Sequence, residues 1–149
     1  MMDPVTVLFQ YAYDHNISVT AEHFDPDWIP VAIPSKRRIL INLSWPRKKE
    51  LPLIIAHEIA HVQNGGVDFA EYTRSPRDPE EAMANRGAIE LLINLFVDPQ
   101  ISLNQFNVPA FVDRFMIPMG YEGLIETLAC EKFQLTEDDL TNALNSFDE

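Results

Sequence analysis

Hydrophobic positions change period several times along this chain, and the changes mark out its elements. From Val5 to Tyr13 the apolar residues Val5, Leu8, Phe9 and Ala12 fall at helical spacing behind Pro4, a residue suited to a first helical position. Ile17-Ser18-Val19-Thr20 then alternates as a strand does, and Asp25-Pro26-Asp27 marks a turn. The run from Arg37 to Leu43 is the clearest strand, with Ile39, Ile41 and Leu43 on one face. Val31-Ala32-Ile33 lies between Pro30 and Pro34, which predicts an edge or irregular strand at best. These pieces suit a small, mostly antiparallel sheet.

Helical spacing returns near Glu50 or Leu51. Pro52 falls in the first turn, where a missing N–H does no harm, and Leu53, Ile54, Ile59 and Ala60 provide apolar flanks. Gly65-Gly66 after Asn64 is a stop that fits a left-handed C-terminal cap. Residues 67–77 read as a surface loop. Asp78-Pro79-Glu80-Glu81 opens the next helix, whose Ala84, Ala88, Leu91, Leu92 and Phe96 share one face. The two alanines would let it approach the preceding helix closely. Residues 110–116 and 121–131 read as two short helices broken by Pro118 and Gly120. Thr136-Glu137-Asp138-Asp139 then caps a last helix carrying Leu140, Ala143, Leu144 and Phe147. The pattern predicts an α+β fold with its sheet beside the helix at 51–64 and a helical C-terminal third. It predicts one domain over 1–149: sheet and first long helices to about 100, then a helical subregion over about 101–149.

Composition narrows the function classes. A chain of 149 residues with 46% hydrophobic content can bury a core without disulfides or a structural metal. A formal charge of -12 argues against direct nucleic-acid binding, which relies on Lys and Arg neutralising phosphates. The single cysteine, Cys130, allows no internal disulfide, suits a reducing compartment and reads as a small buried hydrophobe. Met1-Met2-Asp3-Pro4 lacks a signal-peptide pattern and no apolar run is long enough for a membrane span, so a cytoplasmic location is expected.

The candidate chemistry lies in Ala56-His57-Glu58-Ile59-Ala60-His61. Residues i and i+4 of a helix share a face one turn apart, so His57 and His61 can direct ring nitrogens at one metal ion. Glu58, beside them, suits a general base for a water on that ion. A catalytic zinc usually takes three protein ligands, so one is missing. Glu81, at the head of the next helix, is the choice from position, with Glu80 its local rival and Glu90 a poorer one three turns down. Asp78 and Glu81 also make a D-x-x-E pattern, in which Glu81 would only bond the Asp78 N–H. His15 and His23 have no ligand-spaced partner and read as exposed or hydrogen-bonded. Tyr72 is a possible oxyanion donor, although a packed ring is the simpler reading. Such a site suits zinc, with manganese or iron as alternatives.

These residues resemble the ImmA/IrrE family of small bacterial and phage metallopeptidases. The resemblance starts with Ile39-Leu40-Ile41-Asn42 and runs through the His57–His61 motif. It continues over Glu81-Ala82-Met83-Ala84-Asn85-Arg86-Gly87-Ala88-Ile89-Glu90-Leu91-Leu92-Ile93 and extends to Phe133-Gln134-Leu135-Thr136-Glu137-Asp138-Asp139-Leu140. It implies a minimal zincin-like domain, Glu81 as third metal ligand, and endopeptidase activity towards a protein such as the DNA-binding repressor of a phage or mobile element. A non-proteolytic module that sequesters a regulatory protein is the alternative. Two positions depart from the family pattern: Gly87 stands where an aromatic residue is usual, and Ala60 where glycine is common.

Overall fold

In a computed structural model, which describes residues 3–71, 78–98, 100 and 105–145 and the side chains among them except at 70, 71 and 134–145, the two histidines lie on a central helix. This helix, α2 (Leu51–Asn64), is buried around its whole circumference from Leu51 to Val62. A helix apolar on every side belongs inside a fold, and His57, Glu58 and His61 are the polar side chains carried in with it. Gly65 ends it at φ 70, its N–H bonding the His61 and Val62 carbonyls at 3.2 Å.

One side of α2 faces a four-stranded sheet of order β1-β3-β2-β4, formed by β1 (Ser18–Glu22), β2 (Val31–Ile33), β3 (Arg38–Asn42) and β4 (Ala70–Glu71). β1 runs parallel to β3, with Val19 opposite Ile39, and the other two pairings are antiparallel. Contrary to the edge position expected for Val31–Ile33, β2 is interior, flanked by β3 and β4. Pro30 and Pro34 stand just outside it, so its three N–H groups remain available for pairing on both sides. The expected surface loop at 67–77 contributes β4, which pairs with Val31 and Ala32. Ile39 and Ile41 are fully buried as expected, while Leu43 is half-buried.

The end of β3 is fixed by Asn42, whose side chain is wholly buried. Its Oδ1 accepts from the Phe24 and Ser44 N–H groups at 3.2 and 2.9 Å, and its Nδ2 donates to the Asp25 and Trp28 carbonyls at 2.7 and 3.1 Å. The entry to α2 is fixed by Glu50, also buried, which accepts from Trp45 Nε1 at 3.1 Å and Arg47 Nε at 2.8 Å. Asn42 and Glu50 are thus met by partners, as burial demands.

Among the described residues, α1 (Pro4–Asp14) and three further α-helices pack around this centre. α3 (Pro79–Phe96) lies antiparallel to α2, because Glu81 meets His61 whereas Asn85 meets His57. Gly87 makes the contact close: a Cβ added there would stand 3.0 Å from Ala60 Cβ. α4 (Val108–Phe115) is capped by Asn107, which accepts from the Ala110 N–H at 2.9 Å. Past it, the two helices expected at 121–131 and after Thr136 are one, α5 (Glu122–Asn145). Neither glycine nor proline separates them, so the capping pattern at Thr136 is overridden by helix continuation. From α5, Lys132 Nζ donates to the carbonyls of Ile93 and Val97 at 3.0 and 2.9 Å, satisfying the end of α3. Cys130 is half-buried rather than fully buried. The core draws on α1 (Leu8, Ala12), β3, α2, α3 and the Phe111, Phe115, Ile125 and Phe133 side chains. Among the described residues, no helix is long and apolar enough to cross a membrane.

Candidate metal centre

His57 and His61 stand one turn apart on α2 with their Nε2 atoms 3.1 Å from each other. The antiparallel approach of α3 brings Glu81 between them. Its Oε1 lies 2.9 Å from His61 Nε2, and its Oε2 lies 2.9 Å from His57 Nε2. All three side chains are buried. Tetrahedral donors at zinc bond lengths of about 2.0–2.1 Å stand roughly 3.3 Å apart, so the observed separations are close to those of ligands around one small ion.

The hydrogen bonds around the cluster sharpen this. His57 Nδ1 is 2.8 Å from Asn85 Oδ1, and Asn85 Nδ2 donates to the Tyr121 hydroxyl at 2.9 Å. With its amide nitrogen on Tyr121, Asn85 presents an acceptor to His57, whose proton therefore belongs on Nδ1. Nε2 then carries a lone pair. Glu81 Oε2 lies 2.9 Å from that Nε2. Two lone-pair atoms this close in a buried site repel each other unless positive charge lies with them.

Glu58 supplies the second unmet demand. It is fully buried, and among the described residues neither carboxylate oxygen has a hydrogen-bond partner. Burial, and after it the charge of Glu81, raises its carboxyl well above the usual carboxylate range. Burial also pushes the Glu81 carboxyl up, but the hydrogen bonds and charge of His57 and His61 outweigh that and hold it at about 2. One carboxylate is therefore kept charged beside the imidazoles while its neighbour is left without a counter-charge. Three converging ligand atoms and an orphaned buried carboxylate fit a divalent cation, and the donor set suits zinc.

No family model, curated protein or solved structure matches this chain. The site must be judged on its own residues. His57, Glu58, His61 and Glu81 all lie in it. Asp78 caps α3 by accepting from the Glu80 N–H at 2.9 Å, at the second helical position rather than the third that a capping box uses. The Glu81 carboxylate is engaged at the histidines. Glu80 lies against Gly66 and Glu90 is exposed. His15 and His23 are exposed, with their Nδ1 atoms at the Tyr11 carbonyl and the Ser44 hydroxyl. Tyr72 lies outside the described residues. Sequence reasoning gave no role to Asn85 or Tyr121. Asn85 had a signal, since it stands one turn after Glu81 on the same helix face. Tyr121 had none, being 36 residues further on.

Proposed function

We propose that this protein is a zinc-dependent endopeptidase of the ImmA/IrrE type, acting in the cytoplasm on a protein substrate such as the DNA-binding repressor of a phage or mobile element. The observation that carries this reading is the pairing of a three-ligand cluster with a partnerless carboxylate at Glu58. Ligands alone would serve a structural site equally well; a base without a partner beside them is what hydrolysis adds. A zinc ion bound here would polarise the scissile carbonyl and acidify a water. His57, His61 and Glu81 would hold the ion. Glu58 takes the proton of the attacking water on one carboxylate oxygen and later delivers it to the leaving nitrogen. The acidic chain, at -12, favours encounter with a basic DNA-binding partner.

The test is incubation of the zinc-loaded protein with candidate repressors encoded beside its gene. Two fragments are expected from the wild type and from no sample treated with chelator. If Glu58→Gln cuts as fast as the wild type, Glu58 is not the base and the mechanism fails. The burial of all four site side chains favours one second reading, a module that captures a regulatory protein without cutting it. Tight complex formation with intact partner, unchanged by Glu58→Gln, would select that reading.

A further inference from the structure

The metal cluster is built from α2 and α3, yet one contact reaches it from the other end of the chain. Tyr121 stands immediately before α5, where its carbonyl accepts from the Ile125 N–H at 2.9 Å. Gly120, at φ +103, turns the chain into this position in a conformation that other residues adopt only under strain. Further along α5, Lys132 is tied to the C-terminal carbonyls of α3. Asn85 to Ile93 and Tyr121 to Lys132 follow the same direction, so α5 runs alongside α3 and is fastened to it at both levels.

What Tyr121 touches is the amide of Asn85. An asparagine side chain has two nearly isosteric orientations, and they have opposite consequences for His57. With Oδ1 towards the imidazole, His57 keeps its proton on Nδ1 and offers a bare Nε2 to the cluster. With Nδ2 towards it, Nδ1 becomes the acceptor and Nε2 carries the proton, which blocks ligation. Nothing in His57 itself chooses between these. In the structure the Tyr121 hydroxyl oxygen accepts from Nδ2, which leaves Oδ1 for the imidazole, and Asn85 is buried enough that an amide nitrogen without this acceptor would be costly.

We infer that Tyr121 is a positioning residue of the metal centre, setting the orientation of Asn85 and through it the tautomer of His57. The inference rests on the metal-centre reading above and adds to it a dependence of ion affinity on the docking of α5. Residues that orient a ligating histidine typically alter metal affinity by about 10–100-fold when removed. Asn85→Ala is expected to fall in that range. Tyr121→Phe, acting one bond further away, is expected to weaken zinc binding by roughly 3–10-fold.

The full chain, stripped of metal and titrated with zinc against a chromophoric chelator, provides the test, with the melting temperature of each metal-free variant measured alongside. Tyr121→Phe should lower zinc affinity in the wild-type background. It should have no effect, within about twofold, in the Asn85→Asp background, because a carboxylate presents an acceptor to His57 in either orientation and needs no partner to choose one. Should Asn85→Asp fail to fold, Asn85→Ala replaces it with the same expectation, the amide having been removed. Loss of affinity in the wild-type background alone supports the inference. Unchanged affinity in Tyr121→Phe overturns it, and so does an equal loss in all backgrounds, which would mark Tyr121 as a general packing residue. A wild-type chain that takes up no zinc would overturn the metal centre itself, a distinct failure read before any variant is made.

Discussion

A carboxylate with no partner on either oxygen does not stay ionised in a buried site unless positive charge comes near it. Glu58 and Glu81 illustrate the two outcomes within one turn of the same pair of histidines. In the metal-free protein the Glu58 carboxyl is raised above its unfolded value of 4.5, so the folded state binds the proton more tightly. Its contribution to stability is present below about pH 4.5 and is lost as the pH rises through the higher folded value. Glu58→Gln should therefore stabilise the metal-free protein at neutral pH by roughly 1–3 kcal/mol of relieved burial, seen as a raised melting temperature, and the gain should vanish below about pH 4.5. Glu81 has the opposite sign. Its carboxyl is held at about 2, so its contribution is present above 4.5 and lost as the pH falls towards 2. Glu81→Gln should lower the melting temperature at neutral pH, and that loss should shrink on acidification. Thermal unfolding of the two variants over pH 3–8 checks both; the same direction of change at neutral pH would mean that the Glu58 carboxylate has a partner. At Asn42, where all four amide bonds go to backbone, truncation to alanine leaves buried donors and acceptors unmatched. A loss of about 2–3 kcal/mol in denaturant unfolding is expected.

Between α2 and α3 the decisive pair is Ala60 and Gly87. The structure sets them face to face, and a methyl added at Gly87 would stand 3.0 Å from the Ala60 Cβ, tighter than ordinary contact. Gly87→Ala would gain about 1 kcal/mol of helix propensity, against a methyl contact at 3.0 Å with a Cβ that no side-chain rotation can move. Backbone shifts of this kind cost about 1–3 kcal/mol, so the substitution should be destabilising on balance. It should weaken zinc binding too, because the ligands straddle this interface. Ala60→Gly combined with Gly87→Ala restores the space, and the pair should be strongly non-additive in unfolding and in zinc affinity; additive effects would show the two residues are not coupled. The elements themselves were legible where local chemistry is unambiguous. Pro52 and Gly65 bound α2, Asp78-Pro79 opens α3, and the i, i+4 spacing put His57 and His61 together. What local reading missed depended on tertiary neighbours. The interior place of β2 required β4 to arrive from residues 70 and 71, and α5 ran through a capping pattern that favoured a break. Glu81 could be placed at the head of α3 by pattern, but whether it served as a cap or faced the histidines was decided by the antiparallel packing of two helices. Tyr121 had no counterpart in any local pattern.

At the scale of the whole molecule the cluster joins the centre of the fold to its second long helix and, through Asn85 and Tyr121, to its third. The hydrophobic core spans the same elements from Leu8 to Phe133 without using these polar groups. A chain with such a core is expected to stay folded when metal is removed, unlike a small domain whose fold is its metal site. Ion binding then adds to stability by mass action alone, about 4.1 kcal/mol when free ion is 1,000 times the dissociation constant. For a chain of this size each kcal/mol is worth roughly 2–4 °C. Chelation should thus lower the melting temperature by about 8–16 °C while the far-ultraviolet circular dichroism of the native state persists, and added zinc should restore it. His61→Ala should lose this zinc-dependent increment and stay folded. A chelated chain that loses its helical signal at 25 °C would instead mean that the ion holds α2 and α3 together, since the buried imidazoles and carboxylates would then lack enough partners of their own to keep the two helices in contact.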